Sequence, residues 1–307
     1  MKQTILTFYK FVCFEDYKAW QTLLEDKGES LSVLGTIILA KEGINATISG
    51  QDDQVREFLR VITDDKRFAD LRPRESFSER KTFYRLKILL RDEIVTLGDQ
   101  TINPNKQVGK YVEPEDWNEL IRDPDITLVD TRNDYEVALG SFEGAVNPKT
   151  STFREWDQFV AENLDKKKNK KIAMFCTGGI RCEKASAHLL QHGFDEVFHL
   201  KGGILNYLEK ISPDHSKWDG ECFIFDHRVS VVHGLKDGES KLCFGCRWPL
   251  SQQDLESPNY EEGVSCPKCY DSLTESKRES LRERQRQVKR ADAKNLSHIG
   301  QKMPEID

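Results

Sequence analysis

The chain has 307 residues, 37% of them hydrophobic and 32% charged, with a formal net charge of −6. Its 16 Phe, 8 Tyr and 5 Trp supply apolar material for more than one core, and the length suits two or three domains at about 100–200 residues each. Apolar runs such as Ile37-Ile38-Leu39-Ala40 fall far short of the ~18 residues of a spanning helix. The first ten residues are charged again too soon for a signal peptide. A cytoplasmic protein with no membrane partner is expected.

Residues 276–307 hold nine Lys and Arg against five Asp and Glu, a surplus of four positive charges. The total of −6 therefore leaves −10 on the 275 residues before them. A basic tail on an acidic body admits a polyanion partner that docks locally. Eight Cys in a long chain without a secretion signal favour metal binding or catalysis over a disulfide framework.

In chain order, Ile5–Val12 reads as a strand rich in β-branched and aromatic residues. Phe14–Asp26 follows with apolar residues near helical spacing at Tyr17, Trp20, Leu23 and Leu24. Val33–Ala40 and Asn45–Ser49 read as strands joined by Lys41-Glu42-Gly43-Ile44, and Asp52–Ile62 as a second helix. Phe83–Leu90 is assigned as the last strand. The order βαββαβ predicts a ferredoxin-like, or acylphosphatase-like, sandwich over residues 1–100.

From about residue 105 short apolar strands alternate with helices. Thr127-Leu128-Val129 ends at Asp130 and Lys171–Phe175 ends at Cys176. Glu183–Gln191 is a helix, Glu196–Leu200 a strand, and Gly202-Gly203 opens the helix Ile204–Glu209. This pattern predicts an α/β domain with a parallel sheet over residues 105–213, whose ligand site lies beyond the carboxyl ends of the strands.

Cys176-Thr177-Gly178-Gly179-Ile180-Arg181-Cys182 carries the strongest chemical signal. A Cys directly after a buried strand, followed by two glycines and a helix, sets sulfur at the mouth of a backbone nest. The amides of Thr177, Gly178, Gly179 and Ile180 can then turn toward an anion, with the positive end of the helix behind them. Arg181 adds a permanent cation, so a lowered thiol pKa is expected at Cys176. Arg181 stands five positions after the Cys. That ring is tighter than the cysteine-phosphatase loop, where the spacing is six, and suits a single terminal sulfur. Cys182 is either a resolving thiol for an oxidised or sulfurated Cys176 or a small residue packed in the first helical turn; the packing reading is preferred.

This loop resembles that of the rhodanese domain, and neighbouring segments agree. Asp130-Thr131-Arg132-Asn133-Asp134-Tyr135-Glu136 is similar to the rhodanese D-x-R-x-x-x-E segment. Phe142–Asn147 resembles its G-A-x-N turn and Leu200–Ile204 its last strand-to-helix turn. The resemblance covers roughly residues 110–212. It implies that Cys176 carries a persulfide and that Arg181 stabilises its charge, while Asp130, Arg132 and Glu136 make buried polar contacts that hold the loop.

Cys243-x2-Cys246 and Cys266-x2-Cys269, with 19 residues between them, have the spacing of a structural zinc site. A small zinc-ribbon-like module is therefore expected over residues 214–275, with the four thiolates closing a tetrahedron that leaves no catalytic position. Residues 276–307 are read as a basic, flexible tail, able either to stay solvated or to contact a phosphate backbone.

The combination of a ferredoxin-like domain with Ala40-Lys41-Glu42-Gly43-Ile44-Asn45-Ala46-Thr47-Ile48-Ser49-Gly50, a rhodanese domain and a double-CxxC module resembles the bacterial rhodanese-related tRNA uridine hydroxylases. That resemblance implies oxygen-dependent hydroxylation of the wobble uridine, nucleotide 34, at C5 to give 5-hydroxyuridine. Molecular oxygen would be the co-substrate and the tRNA anticodon loop the partner. No 2-His-1-carboxylate pattern is evident among the seven His, and no flavin or haem signature appears. Cys176 is thus the candidate reacting group, through sulfur addition to C6 of uracil. The sulfur or electron donor is not identified by the sequence. The Lys41–Asn45 turn is either a substrate-facing loop or a purely structural hairpin. A rhodanese-type sulfurtransferase acting on a thiol or cyanide is the leading alternative, ahead of a zinc adaptor without catalysis.

Overall fold

The computed structural model describes residues 2–294, apart from the side chain of Asp292. Two compact units make up the chain, Met1–Asp237 and Gly238–Asp307. No helix among the described residues is long and apolar enough to cross a membrane.

The first unit opens with β1 (Gln3–Phe11), α1 (Ala19–Ser30), β2 (Leu34–Ala40), β3 (Gly43–Gly50), α2 (Asp52–Thr63), β4 (Arg74–Ser78) and β5 (Leu86–Leu90). They form one sheet in the order β4-β1-β3-β2-β5. Strands β4, β1, β3 and β2 are antiparallel neighbours in ferredoxin-like order, while β5 adds parallel to β2. The sheet alternates as a half-buried strand must. Leu6, Phe8, Ile44, Ala46 and Ile48 face a core with Val55, Phe58 and Ile62 of α2. The alternate positions Thr7, Tyr9 and Thr47 lie on the opposite face.

One strand differs from the sequence reading. The fourth strand of the βαββαβ pattern is Arg74–Ser78, and the segment expected to be last, Phe83–Leu90, supplies the fifth. Arg74-Glu75-Ser76-Phe77-Ser78 is an edge strand with a mostly polar sequence and an exposed Phe77, so it lacks the apolar signal of a central strand.

The second part of this unit runs β6 (Lys110–Val112), α3 (Pro114–Leu120), β7 (Ile126–Asp130), α4 (Asp134–Val137), β8 (Gly140–Phe142), α5 (Trp156–Asn163), β9 (Lys171–Phe175), α6 (Ile180–Gln191), β10 (Glu196–Leu200) and α7 (Gly203–Lys210). β6, β10, β9 and β7 form an all-parallel sheet in that order. Helices cover both faces, and β9 divides its residues between them. Ile172, Met174 and Cys176 join Trp156, Ala185 and Leu189. Ala173 and Phe175 join Trp117, Ile204 and Leu208. Cys176 therefore emerges at the carboxyl end of a central strand, on the side covered by α5 and α6.

The unit closes with β11 (Trp218–Gly220), β12 (Cys222–Phe223), β13 (Ser230–Val232) and β14 (Lys236–Asp237). Residues 214–237 were expected to belong to the cysteine module. Instead β11 pairs with β8, and Trp218 and Cys222 are buried in the core of the parallel-sheet domain. The Arg132 guanidinium lies 5.0 Å from the Trp218 ring centroid.

The second unit contains β15 (Lys241–Leu242), β16 (Pro249–Leu250), α8 (Gln252–Leu255) and α9 (Glu275–Asp292). Residues 276–292, read from sequence as the start of a flexible tail, thus belong to a helix. Thr274 caps it by accepting from the Lys277 amide. Leu281 is buried, Arg282 makes two bonds to Glu261 at 2.7 and 2.8 Å, and Arg284 donates to the Phe244 and Gly263 carbonyls. One apolar anchor and several arginines hold the helix down, a pattern with too little periodicity to be seen in sequence. The rest of the expected tail, residues 295–307, lies outside the described residues.

Candidate active site

The loop after β9 is fixed from below by α7, whose first amides bond to it. Ile204 N–H donates to the Cys176 carbonyl at 2.9 Å and Leu205 N–H to the Thr177 carbonyl at 3.1 Å. Gly203 sits at φ +67°, and a Cβ there would collide with the Cys176 carbonyl oxygen. Gly179 caps α6 at φ +103° and directs its N–H to the Cys176 sulfur at 3.1 Å. The positive end of α6 thus faces the sulfur.

Cys176 is fully buried. Burial pushes its thiol up, but a hydrogen bond from the Cys182 side chain, the Arg181 charge and the amides of Cys182 and Gly179 together bring it down to about 6. Cys182 shows the reverse: burial and the neighbouring Cys176 sulfur push its thiol well up. Cys182 also lies 3.5 Å from the Thr131 hydroxyl. Cys182 is fully buried in the core, as the packing reading expects. It is the third residue of α6, and its thiol also donates to the Cys176 sulfur.

Arg181 does not point a free charge at the sulfur. Its two terminal nitrogens donate to both carboxylate oxygens of Glu136 at 2.6 and 2.8 Å, and both side chains are buried. Burial would raise the Glu136 carboxyl, yet Arg181 and then Arg132 hold it below the usual carboxylate range. Thr177 donates to the same carboxylate at 3.2 Å. The pair braces both ends of the loop. Behind it, Arg132 forms a second buried pair with Asp130 at 2.6 and 2.9 Å and donates to the Gly140 carbonyl. The sequence placed Asp130, Arg132 and Glu136 together as loop supports; the structure sorts them into two separate pairs.

The amino-terminal sheet completes the site. Tyr9 Oη donates to Glu183 Oε1 at 2.8 Å, and a Cβ on Gly179 would come within 2.8 Å of that hydroxyl. Tyr111 bonds to the same carboxylate. Burial raises the Glu183 carboxyl and the Cys176 charge adds to the rise, while the two phenols oppose it. Burial, then Glu183, raises the Tyr9 phenol well above its ordinary value. Neither Tyr9 nor Glu183 was singled out from sequence. The available signal was the face of β1 and β3 opposite the helices, which carries Thr7, Tyr9 and Thr47 in place of the Lys and Glu of a solvated face.

The Lys41–Asn45 turn makes structural contacts, as its hairpin reading expects. Glu42 pairs with the fully buried Lys184 of α6 at 2.9 Å and accepts from the Ile94 amide at 2.6 Å, and Asn45 donates to the Ile94 carbonyl at 3.0 Å. Glu93 closes a second contact on Lys184. The turn is a clamp between the two parts of the unit. Beside the cysteine loop, a cleft opens among Thr7, Thr47, Arg74 and Ser76 of the sheet, Thr177 of the loop, and Phe225 and Arg228 of the segment after β12.

Asp157, His188 and His192 bring their ligand atoms within 4.8 Å of one another, a two-His, one-carboxylate set that sequence spacing did not display. His188 Nε2 and Asp157 Oδ1 are already hydrogen-bonded at 2.9 Å. The set lies six residues, about 9 Å of helix rise, beyond Cys182 along α6.

In the second unit, the sulfurs of Cys243, Cys246, Cys266 and Cys269 converge within 4.8 Å. Separations of 4.0 Å for Cys243–Cys269 and 3.7 Å for Cys246–Cys266 and Cys266–Cys269 match the roughly 3.8 Å edge of a tetrahedron with ~2.3 Å Zn–S bonds. The four cysteines fit a metal ion such as zinc. Apart from them, the buried apolar cluster of this unit contains Leu250, with Trp248, Leu255, Tyr260 and Leu273 partly buried around it. So small a core calls for a staple.

Residues 3–94 match the UPF0176 acylphosphatase-like domain and residues 113–210 the rhodanese-like domain. Among solved structures, a rhodanese-related protein from Thermoplasma volcanium aligns over 34% of this chain and 95% of its own, at 26% identity and a TM-score of 0.29. A protein from Bacillus halodurans aligns over 38% and 80%, at 23% identity and 0.29. The rhodanese-like domain of an Anabaena protein aligns over 36% and 78%, at 19% identity and 0.29.

Proposed function

Because the chain belongs to the family that joins a UPF0176 acylphosphatase-like domain to a rhodanese domain, we propose that it hydroxylates the wobble uridine of tRNA at C5 through Cys176. The observation that carries this reading is a fully buried sulfur that accepts from the Gly179 amide at 3.1 Å at the amino end of α6, beside the buried Arg181 guanidinium, at a site completed by the amino-terminal sheet.

In the proposed chemistry, the Cys176 thiolate, or its persulfide, adds to C6 of uracil, and the electron pair moves toward C5 and the C4 carbonyl. The enolate carbon then attacks an electrophilic oxygen donor of the hydroperoxide class, formed from molecular oxygen and two electrons. The O–O bond breaks, one oxygen stays on C5 and the other leaves with the donor. Loss of the C5 proton and cleavage of the C6–S bond restore the ring and the thiolate. Amides at the end of α6 steady the sulfur's charge before attack and after release. Zinc on the four cysteines would be structural, since four thiolates leave no open position.

The second reading, a rhodanese-type sulfurtransferase, shares the cysteine loop and the rhodanese match. Against it stands the charge balance around the loop, because Arg181, Arg74 and Arg228 are each paired with a carboxylate. Among the described residues of the loop and the adjoining cleft, an anionic donor such as thiosulfate meets cations that already have a carboxylate partner. The test is mass spectrometry of wobble nucleosides from a strain lacking its own enzyme, with and without this chain, beside a thiosulfate–cyanide assay. Restored 5-hydroxyuridine with negligible thiocyanate supports the hydroxylase; thiocyanate formation without 5-hydroxyuridine overturns it.

A further inference from the structure

We infer that the cleft beside the cysteine loop is the pocket for one uracil ring turned out of a single-stranded RNA, with Phe225 as its stacking platform. The inference rests on the hydroxylase reading and assigns the substrate site within it. Thr177, next in the chain to Cys176, lines the cleft, so a ring held there is adjacent to the cysteine loop.

Charge decides what kind of group the cleft takes. Its two cations are already neutralised: Arg74 pairs with Glu209, and Arg228 bonds the buried Asp226 carboxylate through Nε at 3.0 and 3.2 Å and a terminal nitrogen at 2.6 Å. A phosphate or small anion there would meet guanidinium groups whose charge a carboxylate already compensates. An uncharged polar ring needs no free cation.

Hydrogen bonding narrows the choice. The Thr7 and Thr47 hydroxyls share one mutual bond at 3.2 Å, which uses one of their two hydrogens and leaves the other to donate. Ser76 accepts from Arg228 at 3.2 Å and keeps its own hydrogen. Two spare O–H donors match the two carbonyl oxygens of a pyrimidine-2,4-dione. The remaining requirement is a flat apolar surface. Phe225 is 62% exposed, yet its ring is fixed edge-to-face against Phe223 at 5.2 Å and 85°. A rigid exposed aromatic beside hydroxyl donors is the arrangement by which proteins hold unstacked bases.

The experiment is binding of fluorescent oligouridylate to the full chain at high salt, where phosphate contacts are suppressed. Phe225→Ala should weaken binding about tenfold, Phe225→Tyr should retain it, and Thr47→Val should weaken it a few-fold. Thermal melting should not move for the Phe225 variants, because the side chain is exposed. Absence of oligouridylate binding by the wild type, or unchanged binding by Phe225→Ala, overturns the pocket. If Phe225→Ala loses binding while the wild type makes no 5-hydroxyuridine, the pocket stands and the hydroxylase reading falls. If the wild type hydroxylates and Phe225→Ala matches it in binding and KM, the reverse holds.

Discussion

Tyr9, on the first strand of the amino-terminal sheet, donates a 2.8 Å hydrogen bond to Glu183, seven residues beyond Cys176 on the helix that faces the sulfur. The acylphosphatase-like domain is therefore part of the rhodanese site. The Glu183 carboxylate and the Cys176 thiolate raise each other's cost of ionisation in a buried setting. Glu183→Gln should move the Cys176 titration midpoint downward, and Tyr9→Phe, which removes a donor to the carboxylate, should move it less. A midpoint unchanged in Glu183→Gln would contradict the coupling.

Arg181 and Glu136 form the brace of the loop. Removing either leaves a buried charge without its partner, at a cost of about 3–5 kcal/mol. Glu136→Gln should lower stability by that order in denaturant titration while leaving the sulfur acidic, because the Arg181 charge remains. Arg181→Met should also destabilise, and should shift the thiol toward the ordinary value of about 8.5. A stable Arg181→Met protein with an unshifted thiol would show that the guanidinium has neither role.

Cys182 donates a hydrogen bond to the Cys176 sulfur, so its replacement separates ionisation from redox pairing. A serine hydroxyl in its place can still donate, and Cys182→Ser should keep the Cys176 thiol depressed. Peroxide treatment should yield an intramolecular disulfide in the wild type and none in the variant, read by peptide mass spectrometry. A disulfide absent from both would leave Cys182 as a donor only.

The cysteine module should depend on its metal. Elemental analysis is expected to find one zinc per chain, and Cys266→Ser should lose it together with the hydrogen-exchange protection of residues 238–292. The Cys176 titration should persist in that variant. Zinc-free protein with full protection would contradict the structural role.

Sequence periodicity carried much of this fold, for a physical reason visible in β9. Alternate residues there enter two different cores, which makes Ile172–Phe175 a continuous apolar run ending at Cys176. Arg74–Ser78 and α9 were hidden because edge pairing and arginine–carboxylate contacts hold them, and neither leaves an apolar period. The loop chemistry was legible because glycines and a helix start lie beside the Cys in sequence. The pairing of Glu136 with Arg181 in place of Arg132 was not, since four charged residues within seven do not say which partner burial selects. Tyr9 lies 174 residues from Glu183, beyond the reach of any local pattern.

The central claim is an ionised sulfur at Cys176 under neutral conditions. Because the sulfur is buried, thiolate ultraviolet absorbance is the direct probe, taken as the difference between wild type and Cys176→Ser across pH. Burial alone would raise the midpoint, and the hydrogen bonds and Arg181 lower it, so the difference signal should rise through about pH 6 and be nearly complete at neutrality. A midpoint at or above the ordinary thiol value of about 8.5 would contradict the account.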